Sequence, residues 1–210
     1  MHAFSKEFQA ELHNLMKWRR DVRHFKTDPI PTDMLLDCLN AFQMAPSVGL
    51  SEPWRIVRVT SDNARDAALA NFRAANADAL AGYSGNKAAT YAGLKLSGMS
   101  DAPEQIAVFC DEATVKGGGL GAKTMPEMRR YSVVSAIMTF WLALRAQGLG
   151  LGWVSILDPE QLREDLDVPE NWQLIAYLCI GWPKQDTLTP ELETVGWEER
   201  EPELAKWIER

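Results

Sequence analysis

The segment from Pro126 to Gln147 constrains the fold more than any other part of the sequence. It is apolar on nearly all sides, with large hydrophobic residues at Val133, Val134, Ile137, Phe140, Trp141 and Leu144. A surface helix would be polar on one face, so this pattern predicts a central buried helix. Gly148 follows where helices commonly end in a left-handed residue. Other elements must cover this helix, and 210 residues suffice for one such core, which predicts a single domain over residues 1–210.

Helical and strand patterns alternate along the rest of the chain. Apolar spacing predicts helices from Phe8 to about Trp18, from about Thr32 to Pro46 and from Asp62 to about Leu80. Apolar or β-branched runs predict strands at residues 54–60, 105–111, 151–157 and 173–182, with a short helix from Pro159 between the last two. This order is typical of an α+β or α/β sheet covered by helices.

Two segments lack a clear period. The stretch Gly82–Asp101 is polar and contains glycine, which predicts an irregular lid or arm. Residues 183–210 are polar apart from Trp197 and Trp207. We expect this C-terminal arm to wrap another subunit, and the alternative is a frayed tail.

Composition limits the partners and the compartment. Acidic residues outnumber basic ones by 29 to 22, a net charge of −7, which argues against nucleic acid and anionic membranes as partners. The longest apolar stretch is too short to span a bilayer, and no signal pattern precedes it. The three cysteines lack paired spacing, and the three histidines lack metal-ligand spacing. These features predict a cytoplasmic protein with reduced thiols and no metal.

A basic cluster, Arg19, Arg20 and Arg23, follows the first predicted helix of this acidic chain. Guanidinium groups suit phosphate because they offer planar forked donors and stay charged. Cations are also favourable at the end of a helix, so the cluster predicts either an anion site or a structural role. Asp21 lies between these arginines, and we expect their charge to lower its pKa. From the residues alone, Asp21 either accepts protons or only orients the arginines.

Two glycine patterns suggest a dinucleotide site at first sight. Residues 117–122 fit the spacing G-x-G-x-x-A but are not followed by a continuous helix, and residues 148–152 lead from a helix into a strand. A Rossmann turn requires the order strand, turn, helix, so neither pattern qualifies. Ser155 follows the second pattern without a histidine near it in sequence, which indicates an ordinary strand hydroxyl.

Three segments taken together resemble the nitroreductase superfamily, namely residues 19–25, 45–54 and 150–157. Within the superfamily the chain is similar to the BluB-type 5,6-dimethylbenzimidazole synthases, a resemblance strengthened by residues 102–105, 124–128 and 131–134. It implies an α+β nitroreductase-like fold, in which a central, mostly antiparallel sheet is flanked by helices. It also implies a homodimer in which both subunits hold FMN at their interface.

The resemblance assigns roles to individual residues. It implies that Asp21 and Ser155 are catalytic and that the FMN-binding residues are Arg19, Arg20, Asp21, Val22, Arg23, Pro46, Ser47, Gly152, Trp153, Val154, Ser155 and Arg200. Two positions depart from the family pattern, because Glu52 stands where Gln is common and Trp182 where Tyr is frequent.

The activity that the resemblance implies is oxygen-dependent fragmentation of reduced FMN to 5,6-dimethylbenzimidazole, the lower ligand of cobalamin, and erythrose 4-phosphate. FMN is then a substrate, with O2 as co-substrate, and a separate flavin reductase is a candidate partner. The alternative is an NAD(P)H-dependent nitroreductase or flavin reductase that recycles FMN as a cofactor. A third possibility is a protein that binds flavin without turnover.

Overall fold

The computed structural model describes residues 3–94, 97–201 and 207–209. The first part of the chain forms α1 (Lys6–Trp18), α2 (Thr32–Leu39), β1 (Trp54–Arg58), α3 (Asp62–Ala81), α4 (Gly85–Gly93) and α5 (Gly98–Asp101). The second part forms β2 (Glu104–Asp111), α6 (Met128–Ala146), β3 (Gly150–Val154), α7 (Pro159–Asp165), β4 (Trp172–Gly181) and α8 (Glu191–Thr194). Short 3₁₀ helices lie at Asn40–Met44, Val48–Leu50 and Lys116–Gly119.

Side-chain caps explain where several helices begin. The hydroxyl of Ser5 accepts a hydrogen bond from the backbone N–H of Phe8 in α1, and that of Ser61 caps α3 in the same way. Asp158 caps α7, whose first residue is Pro159, a residue favoured at this position because its missing N–H would be unpaired there. The predicted starts near Phe8, Asp62 and Pro159 are confirmed.

The four strands form one antiparallel sheet in the order β1-β2-β4-β3. The predicted α+β class with a mostly antiparallel sheet is therefore confirmed. An isolated parallel bridge joins Asp21 to Leu151, so the segment that follows α1 lies beside the outer strand β3. This places the basic cluster at one edge of the sheet.

Helices cover both faces of the sheet, which explains why its central strands are hydrophobic throughout. In β2, Ile106 and Val108 face a core formed with α2 and α6, whereas Ala107 and Phe109 face a second core formed with α3 and α7. Side chains of a strand alternate between faces, so one continuous apolar run fills both cores.

Helix α6 is long and lies against the sheet as predicted, but it is not buried all round. Ile137, Phe140 and Leu144 are buried, whereas Tyr131, Val134 and Met138 are exposed. The spacing of three and four residues puts the exposed side chains in one apolar stripe on the side away from the sheet. The expectation of a wholly buried helix is therefore wrong for this face.

The stretch Gly82–Asp101 was expected to be irregular, and this is wrong. It contains α4 and α5, separated by a short connection. Alanine is the best helix former, and its frequency in α4 outweighs the glycines at the two ends of this helix, which favoured an irregular segment.

None of the helices in the described ranges is both long and apolar enough to span a bilayer.

The described part of the C-terminal segment packs against its own chain. Lys184 pairs with Asp101 at 3.2 Å, Arg145 pairs with Asp186 at 2.7 Å, and the ring of Trp197 contacts that of Tyr83. These contacts bring the segment back to the edge of the sheet where the basic cluster lies.

Candidate active site

Residues 19–25 leave α1 in an extended conformation and run along β3. The N–H of Val22 donates to the carbonyl of Leu151 at 2.9 Å. This approach requires glycine in the strand, since a Cβ on Gly152 would lie 2.2 Å from the carbonyl oxygen of Val22. The glycines of β3 therefore admit a neighbouring backbone.

Phe25 anchors the far end of this segment. Its ring is fully buried, and Cβ atoms added to Gly98 or Gly181 would lie 3.0 Å from it. Two backbones thus close around the ring, which fixes the position of the preceding arginines.

The predicted arginines come together in a cavity of about 160 Å³. It is lined by Arg19, Arg20, Asp21, Arg23, Pro190, Glu191, Leu192 and Arg200. The guanidinium of Arg19 lies 4.6 Å from the ring centre of Trp141, and Arg20 donates through Nε to the carbonyl of Leu188 at 2.8 Å. Arg200, which the resemblance assigns to the FMN site, lines the same cavity as the other three arginines.

The positive charges of the arginine cluster repel one another. The pKa of Arg19 is lowered, first by burial and then by the charge of Arg200. The pKa of Arg20 is lowered by burial and by the charges of Arg200 and Arg19. A bound anion would relieve this repulsion, so the electrostatics of the cluster suit a phosphate.

Arg23 carries an unsatisfied donor. Its side chain is only 11% exposed, and its Nε pairs with Asp21 at 3.5 Å and with Glu191 at 3.9 Å. Nη1 is buried without a hydrogen-bond partner among the described residues. Because a buried unpaired donor is costly, this atom indicates a place for an acceptor from a ligand.

Asp21 is held by the backbone of β3. The N–H of Trp153 donates to Oδ1 of Asp21 at 2.9 Å. Although 41% of the Asp21 side chain is exposed, the surrounding protein desolvates its carboxyl and raises the pKa, against the opposing effects of the Trp153 N–H and Arg23. The expectation that the arginines lower this pKa is therefore wrong, because desolvation outweighs them.

A larger cavity adjoins the arginine cluster. Its volume is about 510 Å³, within the range of small-molecule sites, and its lining includes Arg20, Asp21, Arg23, Trp141 and Lys184. Asp21 lines both this cavity and the smaller one. The carboxyl is thus placed between an anion pocket and a space large enough for an organic group.

The residues assigned around β3 lie near Asp21. Gly152 is buried beneath Val22, Val154 is also buried, and Trp153 is half-buried. Ser155 is exposed directly after the strand, two residues beyond the Trp153 N–H that binds Asp21, about 7 Å along an extended chain. The structure therefore brings the segment of Ser155 to Asp21.

The loop of Pro46 and Ser47 lies elsewhere in the chain. Val48 N–H donates to Ser132 Oγ at 3.0 Å, at the beginning of α6. Arg19 contacts Trp141, nine residues later on the same helix, roughly 13 Å along its axis. Neither cavity at the arginines is lined by Pro46 or Ser47. Within a single subunit, Pro46 and Ser47 therefore lie apart from the other positions assigned to the FMN site.

The same loop is fixed internally. Ser47 Oγ accepts a hydrogen bond from the N–H of Glu52 at 3.1 Å. The carboxylate of Glu52, the residue that departs from the family pattern, pairs with Lys116. This ion pair holds the loop against the glycine-rich turn at Lys116–Gly119.

Sequence reasoning missed the contribution of Glu191 and Leu188. Glu191 begins α8 and pairs with Arg23, while the carbonyl of Leu188 accepts hydrogen bonds from Arg20. A four-residue helix carries no readable period, and a backbone acceptor carries no sequence signal.

Comparisons with known proteins agree with this architecture. A model of the nitroreductase family matches residues 16–182. The chain is 52% identical over 199 residues to a 5,6-dimethylbenzimidazole synthase of Rhodospirillum rubrum, covering 95% of this chain and 94% of that protein. It is 45% identical over 208 residues to a protein of the same name from Rhodobacter capsulatus, covering 99% of each chain.

A solved structure shows the same fold. Iodotyrosine deiodinase, crystallised with FMN and 3-iodo-L-tyrosine, superimposes with a TM-score of 0.70 at 23% identity, covering 84% of this chain and 91% of that one. The flavin belongs to that crystal structure, and the likeness to the present chain is one of fold.

Proposed function

Because the chain belongs to the nitroreductase family, we propose that it fragments reduced FMN with O2 to 5,6-dimethylbenzimidazole and erythrose 4-phosphate. The observation that carries this proposal is the 52% identity, over nearly the whole of both chains, to a 5,6-dimethylbenzimidazole synthase. The product would serve as the lower ligand of cobalamin. The proposed setting is a single-domain, cytoplasmic enzyme.

The arginine cluster fits the phosphate of FMN. Arg19, Arg20, Arg23 and Arg200 line one small cavity, and Nη1 of Arg23 is buried without a hydrogen-bond partner in the part of the chain that the structure describes. Phosphate oxygens would satisfy that donor and neutralise the repulsion between the cations. The adjoining cavity would take the ribityl chain and part of the ring.

Asp21 would hold and move protons beside the ribityl chain. Its raised pKa makes the protonated carboxyl more accessible near neutral pH than that of an ordinary aspartate. Reduced FMN, when bound, supplies both the electrons for O2 and the carbon atoms of the product. Ser155 would offer a hydroxyl to the ring, and Trp153 and Val154 would border it with apolar surface.

A second copy of the chain would complete the site. Pro46 and Ser47 line neither cavity at the arginines within one chain, so the partner subunit's Pro46 and Ser47 would border the ring instead. The apolar stripe of Tyr131, Val134 and Met138 is exposed on α6 and offers a face for this homodimer. Residues 183–210 would add contacts between the subunits.

Helices α4 and α5 would act as the lid over the reacting groups. In the sequence they lie between α3 and β2. Gly98 and Met99 of α5 line a small space together with Asp21 and Gly152. Exclusion of water would protect reactive species from premature hydrolysis.

The test supplies chemically reduced FMN and air to the purified protein, and mass spectrometry then follows 5,6-dimethylbenzimidazole. We expect product without NAD(P)H, and none when oxygen is removed. Intact flavin with rapid NAD(P)H oxidation would instead indicate a recycling reductase. Flavin bound and returned with neither turnover would indicate a storage protein. A separate flavin reductase, added with NADH and oxidised FMN, should restore product formation.

A further inference from the structure

The C-terminal segment supplies three groups to the arginine cavity. The carbonyl of Leu188 holds Arg20, the carboxylate of Glu191 pairs with Arg23, and Arg200 lines the cavity itself. Arg200 lies in an exposed, irregular part of the chain. Repulsion from Arg19 and Arg20 would move it away unless another contact held it in place.

Trp197, three residues before Arg200, provides such a contact. Its backbone N–H donates to the carbonyl of Leu192 at 2.8 Å, which closes the turn after α8. Its ring meets the ring of Tyr83 edge-on at 5.4 Å and that of Tyr91 at 6.2 Å. We call Tyr83, Tyr91 and Trp197 the aromatic clamp.

The aromatic clamp is anchored in the rest of the fold. Tyr91 of α4 is buried, and its hydroxyl donates to Asn76 Oδ1 of α3 at 2.9 Å. The rings of Tyr83 and Tyr91 are 4.9 Å apart, and Lys87 of α4 lies 5.3 Å from the centre of the Trp197 ring. Aromatic pairs and cation–π contacts of this kind stabilise beyond the area that they bury.

We propose that Trp197 is a positioning residue for phosphate recognition, because the aromatic clamp holds Arg200 against Arg19 and Arg20. This inference rests on the proposed FMN site. The clamp also joins α4, the proposed lid, to the segment that completes the anion pocket.

The experiment compares the dissociation constants of oxidised FMN and of riboflavin, which lacks the phosphate, by quenching of flavin fluorescence. Trp197→Ala should weaken FMN binding about tenfold, the order of a lost hydrogen bond to a charged group, and leave riboflavin binding unchanged. Arg200→Gln should have the same effect. The double variant should bind FMN little more weakly than either single variant, because both substitutions remove the same contact, that of Arg200 with the phosphate.

Three further variants separate positioning from a general structural role. Trp197→Phe should restore FMN binding, since a ring is kept in the clamp. Tyr83→Ala should reproduce the FMN-selective loss from the opposite side, at a partly exposed position that tolerates truncation. Trp207→Ala, which removes a 73% exposed tryptophan ten residues farther along, should bind FMN like the wild type.

Several outcomes would overturn the inference. These are unchanged FMN binding in both Trp197→Ala and Tyr83→Ala, equal losses for FMN and riboflavin in both, or fully additive effects with Arg200→Gln. A wild type that does not prefer FMN to riboflavin would refute the phosphate site itself. The assay requires no turnover, so a protein that makes no 5,6-dimethylbenzimidazole but shows the FMN-selective losses would refute only the proposed reaction.

Discussion

Gly152 lies directly beneath the backbone of Val22, and replacement by alanine tests whether this packing holds the site together. The added methyl group would lie 2.2 Å from the carbonyl oxygen of Val22, whereas ordinary contact begins near 3.4 Å. The obstacle is backbone, which cannot swing aside as the end of a long side chain can. Gly152→Ala must therefore displace residues 19–25 from β3 by about 1 Å.

The energetic effect follows from the contacts that this movement breaks. Overpacking alone costs about 1–3 kcal/mol. The hydrogen bonds from Val22 N–H to Leu151 and from Trp153 N–H to Asp21 contribute about 0.5–1.5 kcal/mol each, and both would lengthen. We expect the free energy of unfolding to fall by about 2–4 kcal/mol.

Urea unfolding of Gly152→Ala should show a lower midpoint, together with weaker FMN binding. Gly93→Ala is the matched control, because none of the described residues has an atom within 4 Å of a Cβ at Gly93, and the residue is helical. There alanine should raise the free energy of unfolding by about 0.5–1 kcal/mol. If Gly152→Ala unfolds at the wild-type midpoint and binds FMN normally, the segment does not pack on β3 as described.

The remaining predictions concern Asp21, Arg23 and the three cysteines. Asp21→Asn should abolish 5,6-dimethylbenzimidazole formation while FMN still binds, and unchanged turnover would exclude a catalytic role. Because the folded-state pKa of Asp21 is raised, its ionisation disfavours folding as pH rises from the ordinary aspartate pKa through the folded value. Asp21→Asn should accordingly gain stability over the wild type in urea at neutral pH, and the gain should vanish at acid pH. Arg23→Gln should weaken FMN binding about tenfold with little effect on riboflavin, measured by fluorescence titration; equal losses would argue against a phosphate contact. All three cysteines are buried, and burial raises the pKa of Cys110 to about 11 and of Cys179 to about 12. Native protein at pH 8 should therefore not react with a thiol reagent that labels all three cysteines after unfolding. Rapid labelling of the native protein would contradict their burial.

Sequence patterns predicted the parts of the fold that depend on local chemistry. The strand at Gln105–Asp111 and the helix that ends before Gly148 follow from apolar runs and a turn residue, and both are confirmed. The helix α4 was missed because the glycines at its two ends favour an irregular segment, whereas its alanines favour the helix that forms.

The site was predictable only in part. The gathering of Arg19, Arg20 and Arg200 came from a resemblance, since no local pattern links residues so far apart. The predicted direction of the Asp21 pKa shift was wrong, because the desolvation that raises this pKa comes from neighbours brought in by folding. The role of Gly152 required the structure, which shows that the backbone of Val22 occupies the space a side chain would need.

The hydrogen bond between Arg20 and Leu188 joins residues separated by 168 positions, and the bond between Asp21 and Trp153 spans 132. During synthesis, Arg19 to Arg23 leave the ribosome early and wait for β3 and then for the C-terminal segment. The cavity of the arginine cluster is therefore incomplete until residues 188–200 have emerged. A chain stalled before residue 188 would expose these basic residues without the acidic and carbonyl partners that Glu191 and Leu188 supply.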